Sequence, residues 1–133
     1  MLILSLDGVI FELKNIEGGQ KLKMKLNITI EDDEVERFVL ILNSGLLFLL
    51  KNKIFNIEEV ENFLYNPYSM NRLKKLGVND EVVDLIHEGC ELENIERILP
   101  EKLQGILNEL EEKTINVLKK LPKCKIPNKK WID

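Results

Sequence analysis

The spacing of apolar residues changes character near residue 30. Before that point, the apolar runs Met1–Leu6 and Val9–Leu13 flank Asp7-Gly8, a dipeptide typical of tight hairpin turns. Gly18-Gly19 marks a second loop, and Lys23–Ile30 then alternates polar with apolar residues, as a half-buried strand does. The pattern predicts three short strands of a small antiparallel sheet.

From Glu31 onward the apolar spacing is helical. Acidic residues 31–34 suit a helix N-terminus, and the helix that follows, to about Lys51, is apolar nearly all round, which predicts a place in the middle of the core. Five more helices are predicted. The first is capped by Asn56, the second is Tyr68–Leu76 and is stopped by a left-handed Gly77, and the third starts at Asn79 and is closed by Gly89. The fourth precedes Pro100 and is held to the core by Leu92, Ile95, Ile98 and Leu99, and the last is Glu101–Leu121. The predicted fold class is α+β and mainly helical, with short antiparallel N-terminal strands followed by about five to six helices.

A chain of 133 residues suits one core. We expect residues 1–121 to form a single compact domain and residues 122–133, with two prolines among lysines, to form an irregular basic tail. Glu17-Gly18-Gly19 is a typical translation of a bacterial ribosome-binding site, and Met24 follows at a suitable spacing. Met1 and Met24 are two alternative start sites, and if translation begins at Met24, residues 1–23 are a mis-annotated extension.

The expected compartment is the cytoplasm. Cys90 and Cys124 lack the spacing of a disulfide framework or a metal site, and the N-terminus lacks the basic region of a signal peptide. The longest apolar run, residues 38–50, is interrupted and falls short of the roughly 20 residues that a membrane span needs.

Charge is distributed unevenly along the chain. The net charge is −4, but residues 119–133 contain six lysines and one acid, so this segment carries +5 and the remainder −9. The tail comprises Lys119, Lys120, Lys123, Lys125, Lys129, Lys130 and Trp131, which could contact nucleic acid or an anionic surface, fold back on the acidic body, or remain a frayed solubilising segment. The acidic body disfavours extended contact with phosphates.

Residues with catalytic or metal-binding potential are few. His87 and Cys90 lie three apart on a predicted helix, but two ligands do not close a metal site, and a half-buried histidine beside a buried thiol explains them better. Residues 17–21 lack the length and the following Ser or Thr of a phosphate-binding loop. We therefore predict no catalytic residues, no metal, no cofactor and no enzymatic activity.

Acidic clusters near predicted helix starts are by default solvated helix faces that stabilise the helix dipole. If one surface binds a partner, we expect it to be the short acidic helix that presents Glu91, Glu93 and Glu96 between Gly89 and Pro100.

Residues 24–121 resemble a family of small bacterial proteins catalogued as a domain of unknown function. The resemblance rests on Leu40–Leu47, Asn66-Pro67-Tyr68, Leu76-Gly77-Val78 and above all Gly89–Pro100, a Gly-x-Glu-Leu-Glu-x-(Ile/Val)-Glu…Pro segment. The family favours Thr where this chain has Cys90 and Asp where it has Asn94, so the resemblance does not imply an essential thiol. It implies no activity.

Two hypotheses follow from different classes. The first is a non-enzymatic protein-binding module, similar in profile to immunity proteins or adaptors, whose acidic helical surface engages another, basic protein. The alternative is a nucleic-acid- or ribosome-associated protein that binds through the basic tail. The sequence is compatible with a monomer and with a dimer, because the apolar stripe of the last helix could serve either.

Overall fold

The computed structural model describes residues 2–3, 12–13, 22–123 and 130–132. Contacts divide the chain into two units, one comprising residues 1–35 and 124–133 and the other residues 36–123. The described residues are mainly helical, which confirms that part of the predicted fold class. None of the helices in these residues has both the length and the apolar character needed to cross a membrane.

The first unit contains short paired strands. They are β1 (Leu2–Ile3), β2 (Glu12–Leu13), β3 (Leu22–Lys23) and β4 (Thr29–Ile30). β1 pairs antiparallel with β4, and β2 pairs antiparallel with β3. Near the chain end, the Thr29 N–H donates to the Trp131 carbonyl at 3.0 Å and Ile28 forms an antiparallel bridge with Ile132. Trp131 and Ile132 therefore have backbone partners at and next to β4, whereas residues 124–129 of the predicted irregular tail lie outside the described residues.

The predicted strand over Lys23–Ile30 is wrong in its middle. Residues 24–27 belong to no strand, and Met24 and Leu26 are 64% and 54% exposed. An alternating pattern produces a strand only where another strand pairs with it, and here the two ends of the segment pair with different strands. The described strands form two separate pairs instead of one three-stranded sheet. The predicted turn at Asp7-Gly8 lies outside the described residues.

The second unit is helical. Its helices are α1 (Val35–Lys51, whose first residue belongs to the other unit), α2 (Ile57–Phe63), α3 (Pro67–Lys75), α4 (Asp80–Cys90), α5 (Leu92–Ile98) and α6 (Leu103–Lys120). Short 3₁₀ turns at 32–34 and 100–102 precede α1 and α6. Their buried faces share one core, to which α1 contributes Leu40 and Leu47, α4 contributes Ile86, and α5 contributes Leu92.

Asparagine side chains define three of the helix starts. Asn56 forms a capping box with Glu59, which confirms the predicted cap of α2. Asn66 accepts from the Ser69 N–H with Pro67 at the first helical position, and Asn79 accepts from the Glu81 N–H. Gly77, just after α3, has a φ of +78°, so its predicted left-handed conformation is also confirmed.

The prediction that α1 lies in the middle of the core is wrong on one face. Val39, Leu40 and Leu47 are buried, but Ile41 and Phe48 are 47% and 56% exposed. These two residues lie on the same face of the helix as Gly45. A Cβ added at Gly45 would meet nothing within 4 Å. A helix buries only the faces that neighbouring elements cover, and the apolar pattern of α1 exceeds that coverage.

A buried chain of hydrogen bonds joins α1, Tyr65 in the segment after α2, and α6. The Asn43 amide donates from Nδ2 to Thr114 Oγ1 at 2.9 Å, and its Oδ1 accepts from the Tyr65 hydroxyl at 2.5 Å. Thr114 in turn donates to the Leu110 carbonyl at 2.7 Å. Burial raises the pKa of Tyr65, with a smaller contribution from Cys90, so the phenol keeps its proton and remains a donor.

Gly89 does not end α4 as predicted. It lies inside the helix, one residue before its end, and its φ is not positive. A Cβ at this position would lie 2.8 Å from Cγ of Tyr65 and closer still to two other ring carbons. The Tyr65 ring thus packs directly against the α4 backbone at Gly89, where only glycine leaves room for it. In this position the Tyr65 hydroxyl reaches Asn43.

Gly89→Ala should lower the free energy of unfolding by about 1–3 kcal/mol, because the Tyr65 ring must move away from its hydrogen bond. Gly45→Ala is the matched control in an exposed, open part of α1, and should raise the same quantity by about 0.5–1 kcal/mol through helix propensity. Urea unfolding measures both changes. A similar effect of the two substitutions would contradict the packing role of Gly89.

Tyr65→Phe should lower the free energy of unfolding by about 1–3 kcal/mol, because it leaves the buried Asn43 Oδ1 without a donor while keeping the ring. Tyr68→Phe, at an exposed position, is the control and should change it by less than about 0.5 kcal/mol. Thermal unfolding of both variants tests this. Equal stability of the two would show that the Tyr65 hydroxyl is not needed.

Candidate functional site

The acidic surface is formed by carboxylates that two packed helices present together. We define it as Glu58, Glu61, Glu91, Glu93 and Glu96. α2 is held to the core by Ile57 and Val60, and α5 by Leu92, all of which are buried. Because α2 and α5 pack against each other, their polar sides lie next to one another. The surface is thus larger than the predicted set on α5 alone.

The three predicted residues of this surface are exposed. Glu91 accepts from Asn94 Nδ2 at 3.1 Å, and its other oxygen lies 3.9 Å from His87 Nε2. In the part of the chain that the structure describes, Glu93 and Glu96 form no ion pair, so their charge remains available. That they contact a partner remains a prediction.

Glu58 and Glu61 are the two residues of this surface that were not predicted, and Glu61 is the more buried of them. Burial is the main cause that raises its pKa, followed by a hydrogen bond to the Glu93 carboxyl and by the charges of Glu93 and Glu58. One of its oxygens, Oε1, is buried without a hydrogen-bond partner. The only sequence signal was its helical spacing of three from Glu58, and its approach to Glu93 depends on how α2 and α5 pack.

The C-terminal end of α5 is apolar and exposed. Ile98 and Leu99 are 64% and 40% exposed, so the prediction that they hold the helix to the core is wrong. α5 ends at Ile98, and the chain turns at Leu99 into the 3₁₀ turn that precedes α6. Only the first turn of α5 can therefore reach the core, through Leu92 and the half-buried Ile95.

His87 and Cys90 are directed to different neighbours. The His87 side chain is exposed and lies near Glu91, whereas Cys90 Sγ is 3.6 Å from Met70 Sδ. Burial, together with the charges of Glu91 and Glu61, raises the pKa of the Cys90 thiol, which keeps it protonated and weakly nucleophilic. Within the described residues, no group of three or more His, Cys, Asp or Glu side chains is arranged to hold a metal ion.

A second set of acids lies on α4, and lysines of α6 pair with two of them. Lys113 Nζ is 3.0 Å from Glu88 Oε1, and Lys120 Nζ is 3.0 Å from Glu81 Oε1. These pairs span a groove of about 380 Å³ between the two helices. The Glu88 carboxylate raises the pKa of Lys113, so this lysine stays charged. Two of the three acids that line this groove are therefore paired within the chain, unlike Glu93 and Glu96 of the acidic surface.

The predicted basic tail is divided between the two units. Lys119 and Lys120 lie in the last turn of α6, and Lys120 is the partner of Glu81. Lys123 belongs to the helical unit, whereas Lys130 and the half-buried Trp131 belong to the first unit. Lys125 and Lys129 lie outside the described residues. Binding of an anionic partner by these lysines remains a prediction.

Comparison with known proteins adds a family assignment. A search of curated proteins found no match, and a search of solved structures found none either. A family model described as "Protein of unknown function (DUF3969)" matches residues 30–133, which include the whole acidic surface and extend beyond the resemblance over 24–121 to the end of the chain. The chain therefore belongs to this family of proteins of unknown function.

Proposed function

We propose that this protein is a non-enzymatic protein-binding module that engages a basic partner through its acidic surface. One observation carries the proposal. α5 presents Glu93 and Glu96 beside the exposed apolar residues Ile98 and Leu99. Protein interfaces commonly combine apolar contact at the centre with charged groups that orient the partner, and this helix offers both.

The distribution of charge supports the choice of this surface over the α4–α6 groove. Glu81 and Glu88 on α4 already have lysine partners within the chain, whereas at Glu61 burial, followed by the neighbouring Glu93 and Glu58, raises the pKa of the carboxyl. A cationic side chain of a partner would relieve this repulsion between like charges. The acidic surface therefore gains more from a basic partner than the groove does.

The state of the candidate catalytic groups supports a non-enzymatic role. The Cys90 thiol is protonated and packed against Met70, and His87 lies beside a carboxylate on the surface, away from that thiol's contact. A small acidic protein of this kind is similar in class to immunity proteins and adaptors, and the proposal places it in the cytoplasm.

Charge reversal at Glu93 and Glu96 tests the proposal. The immobilised full chain is exposed to a bacterial lysate, the retained proteins are identified, and the affinity of a purified candidate is measured by calorimetry at low and moderate salt. Glu93→Lys with Glu96→Lys should weaken binding at least about tenfold and remove its salt dependence. Ile98→Ser should weaken binding mainly by speeding dissociation.

Glu109→Lys with Glu112→Lys is the matched control, because it makes the same change in net charge on the exposed side of α6. Its affinity should stay within about threefold of the natural chain, since exposed charges at a distance are screened. Equal losses from both double variants would show that net charge, not this surface, drives binding. Retention of nucleic acid that disappears when Lys123, Lys129 and Lys130 are changed to Gln would favour the basic tail instead.

A further inference from the structure

The groove between α4 and α6 is crossed by ion pairs at two places. Its volume is about 380 Å³, and the two pairs are Lys113–Glu88 and Lys120–Glu81, each with 3.0 Å between Nζ and Oε1. Because the pairs join the helices in opposite residue order, α4 and α6 are antiparallel here. One helical residue rises about 1.5 Å, so the two pairs lie about 10 Å apart along the groove.

The space between the ion pairs contains two polar side chains without partners. Asp84 on α4 and Asn116 on α6 both line the groove, about midway in sequence between the residues that form the pairs. Within the described residues, neither side chain forms a hydrogen bond or an ion pair. The middle of the groove therefore offers a free carboxylate and a free amide oxygen as acceptors.

The charges that line the groove do not cancel. Three acids, Glu81, Asp84 and Glu88, stand against two lysines, Lys113 and Lys120, which leaves a balance of −1. Because the lysines hold the two glutamates, the remaining charge resides on Asp84. The groove thus suits a single cation placed between the two ion pairs, whereas the acidic surface suits a partner with several positive charges.

The floor of the groove is apolar. Leu85 of α4 and Val117 of α6 line it and are only 4% and 9% exposed. Such a floor suits a cation carried on a hydrocarbon stem, as in arginine and lysine, because the stem covers apolar surface while the head stays at the polar rim. Of these two, the guanidinium has a planar set of donors that can bond a carboxylate and an amide oxygen at once.

We propose that the α4–α6 groove binds an arginine side chain of a partner protein, with its guanidinium paired to Asp84 and donating also to Asn116 Oδ1. The stem of the arginine lies over Leu85 and Val117. The lysines at either side are themselves exposed, so the groove is accessible to a residue that another chain presents. None of the lining residues belongs to the acidic surface, so this second site stands whether or not that surface binds a partner.

An NMR titration of the full chain with N-acetyl-arginine-N′-methylamide measures this binding, because the compound reproduces one arginine residue of a partner. At about 150 mM salt, the side-chain signals of Asn116, Leu85 and Val117 should shift and saturate with a Kd of about 1–10 mM, since an exposed ion pair binds weakly. The citrulline analogue, with a neutral urea in place of the guanidinium, should leave these signals unchanged. The lysine analogue should bind at least about threefold more weakly than the arginine compound.

Asp84→Asn should weaken binding of the arginine compound at least about fivefold, because it removes the charge and keeps the size of the side chain. Asp80→Asn makes the same change on α4 outside the groove, and this control should keep the Kd within about twofold of the natural chain.

Three results would overturn the proposal. The first is the absence of saturable shifts in the groove signals up to about 50 mM of the arginine compound, including the case where only the Glu93 and Glu96 amides shift and the guanidinium lies on the acidic surface. The second is an equal loss of affinity in Asp84→Asn and Asp80→Asn. The third is binding of the citrulline or lysine analogue as tight as that of the arginine compound.

Discussion

The buried side-chain amide of Asn43 is the constraint on which the helical unit depends most. It binds Thr114 on α6 with its nitrogen and Tyr65, just after α2, with its oxygen. A buried amide with either group unpaired costs on the order of 1–3 kcal/mol, a large part of the stability of a small domain. Three segments that are far apart in sequence must therefore meet in one arrangement.

Tyr65 links the buried Asn43 amide to the helices that form the acidic surface. Its hydroxyl is fixed by Asn43, and its ring lies against the backbone of Gly89 near the end of α4. α5 begins three residues later with the fully buried Leu92. The position of α5 relative to α2, and hence the approach of Glu93 to Glu61, follows from where this tyrosine can pack.

Electrostatic balance distinguishes the acidic faces of the helical unit from one another. On α4, lysines from α6 neutralise Glu81 and Glu88 across a groove. Between α2 and α5, no lysine or arginine of the described residues forms an ion pair with Glu61 or Glu93, and burial together with the neighbouring glutamates raises the pKa of Glu61. Two glutamates of α4 thus form ion pairs with lysines of α6, whereas Glu61, Glu93 and Glu96 form none in the described residues.

Part of the site could be predicted because it depends on local order. Gly89–Pro100 was recognisable as a segment with exposed Glu91, Glu93 and Glu96, since helical spacing alone places them away from Leu92. The role of Glu61 was not predictable, because its pKa responds to a residue 32 positions later in the chain. The exposure of Ile98 was not predicted for the same reason. Its apolar side chain fits the helical pattern, but α5 ends at this residue and no other element of the described residues covers the side chain.

The sequence by itself determined the features that act over three or four residues: the Asn56 cap, the left-handed Gly77 and the mainly helical character. These depend on hydrogen bonds and backbone angles within a single turn, which adjacent residues specify. Tertiary structure decided which face of α1 is covered, why Gly89 is a glycine, and which strands pair with residues 22–30. Each of these depends on a partner tens of residues away, and only the folded chain brings that partner into contact.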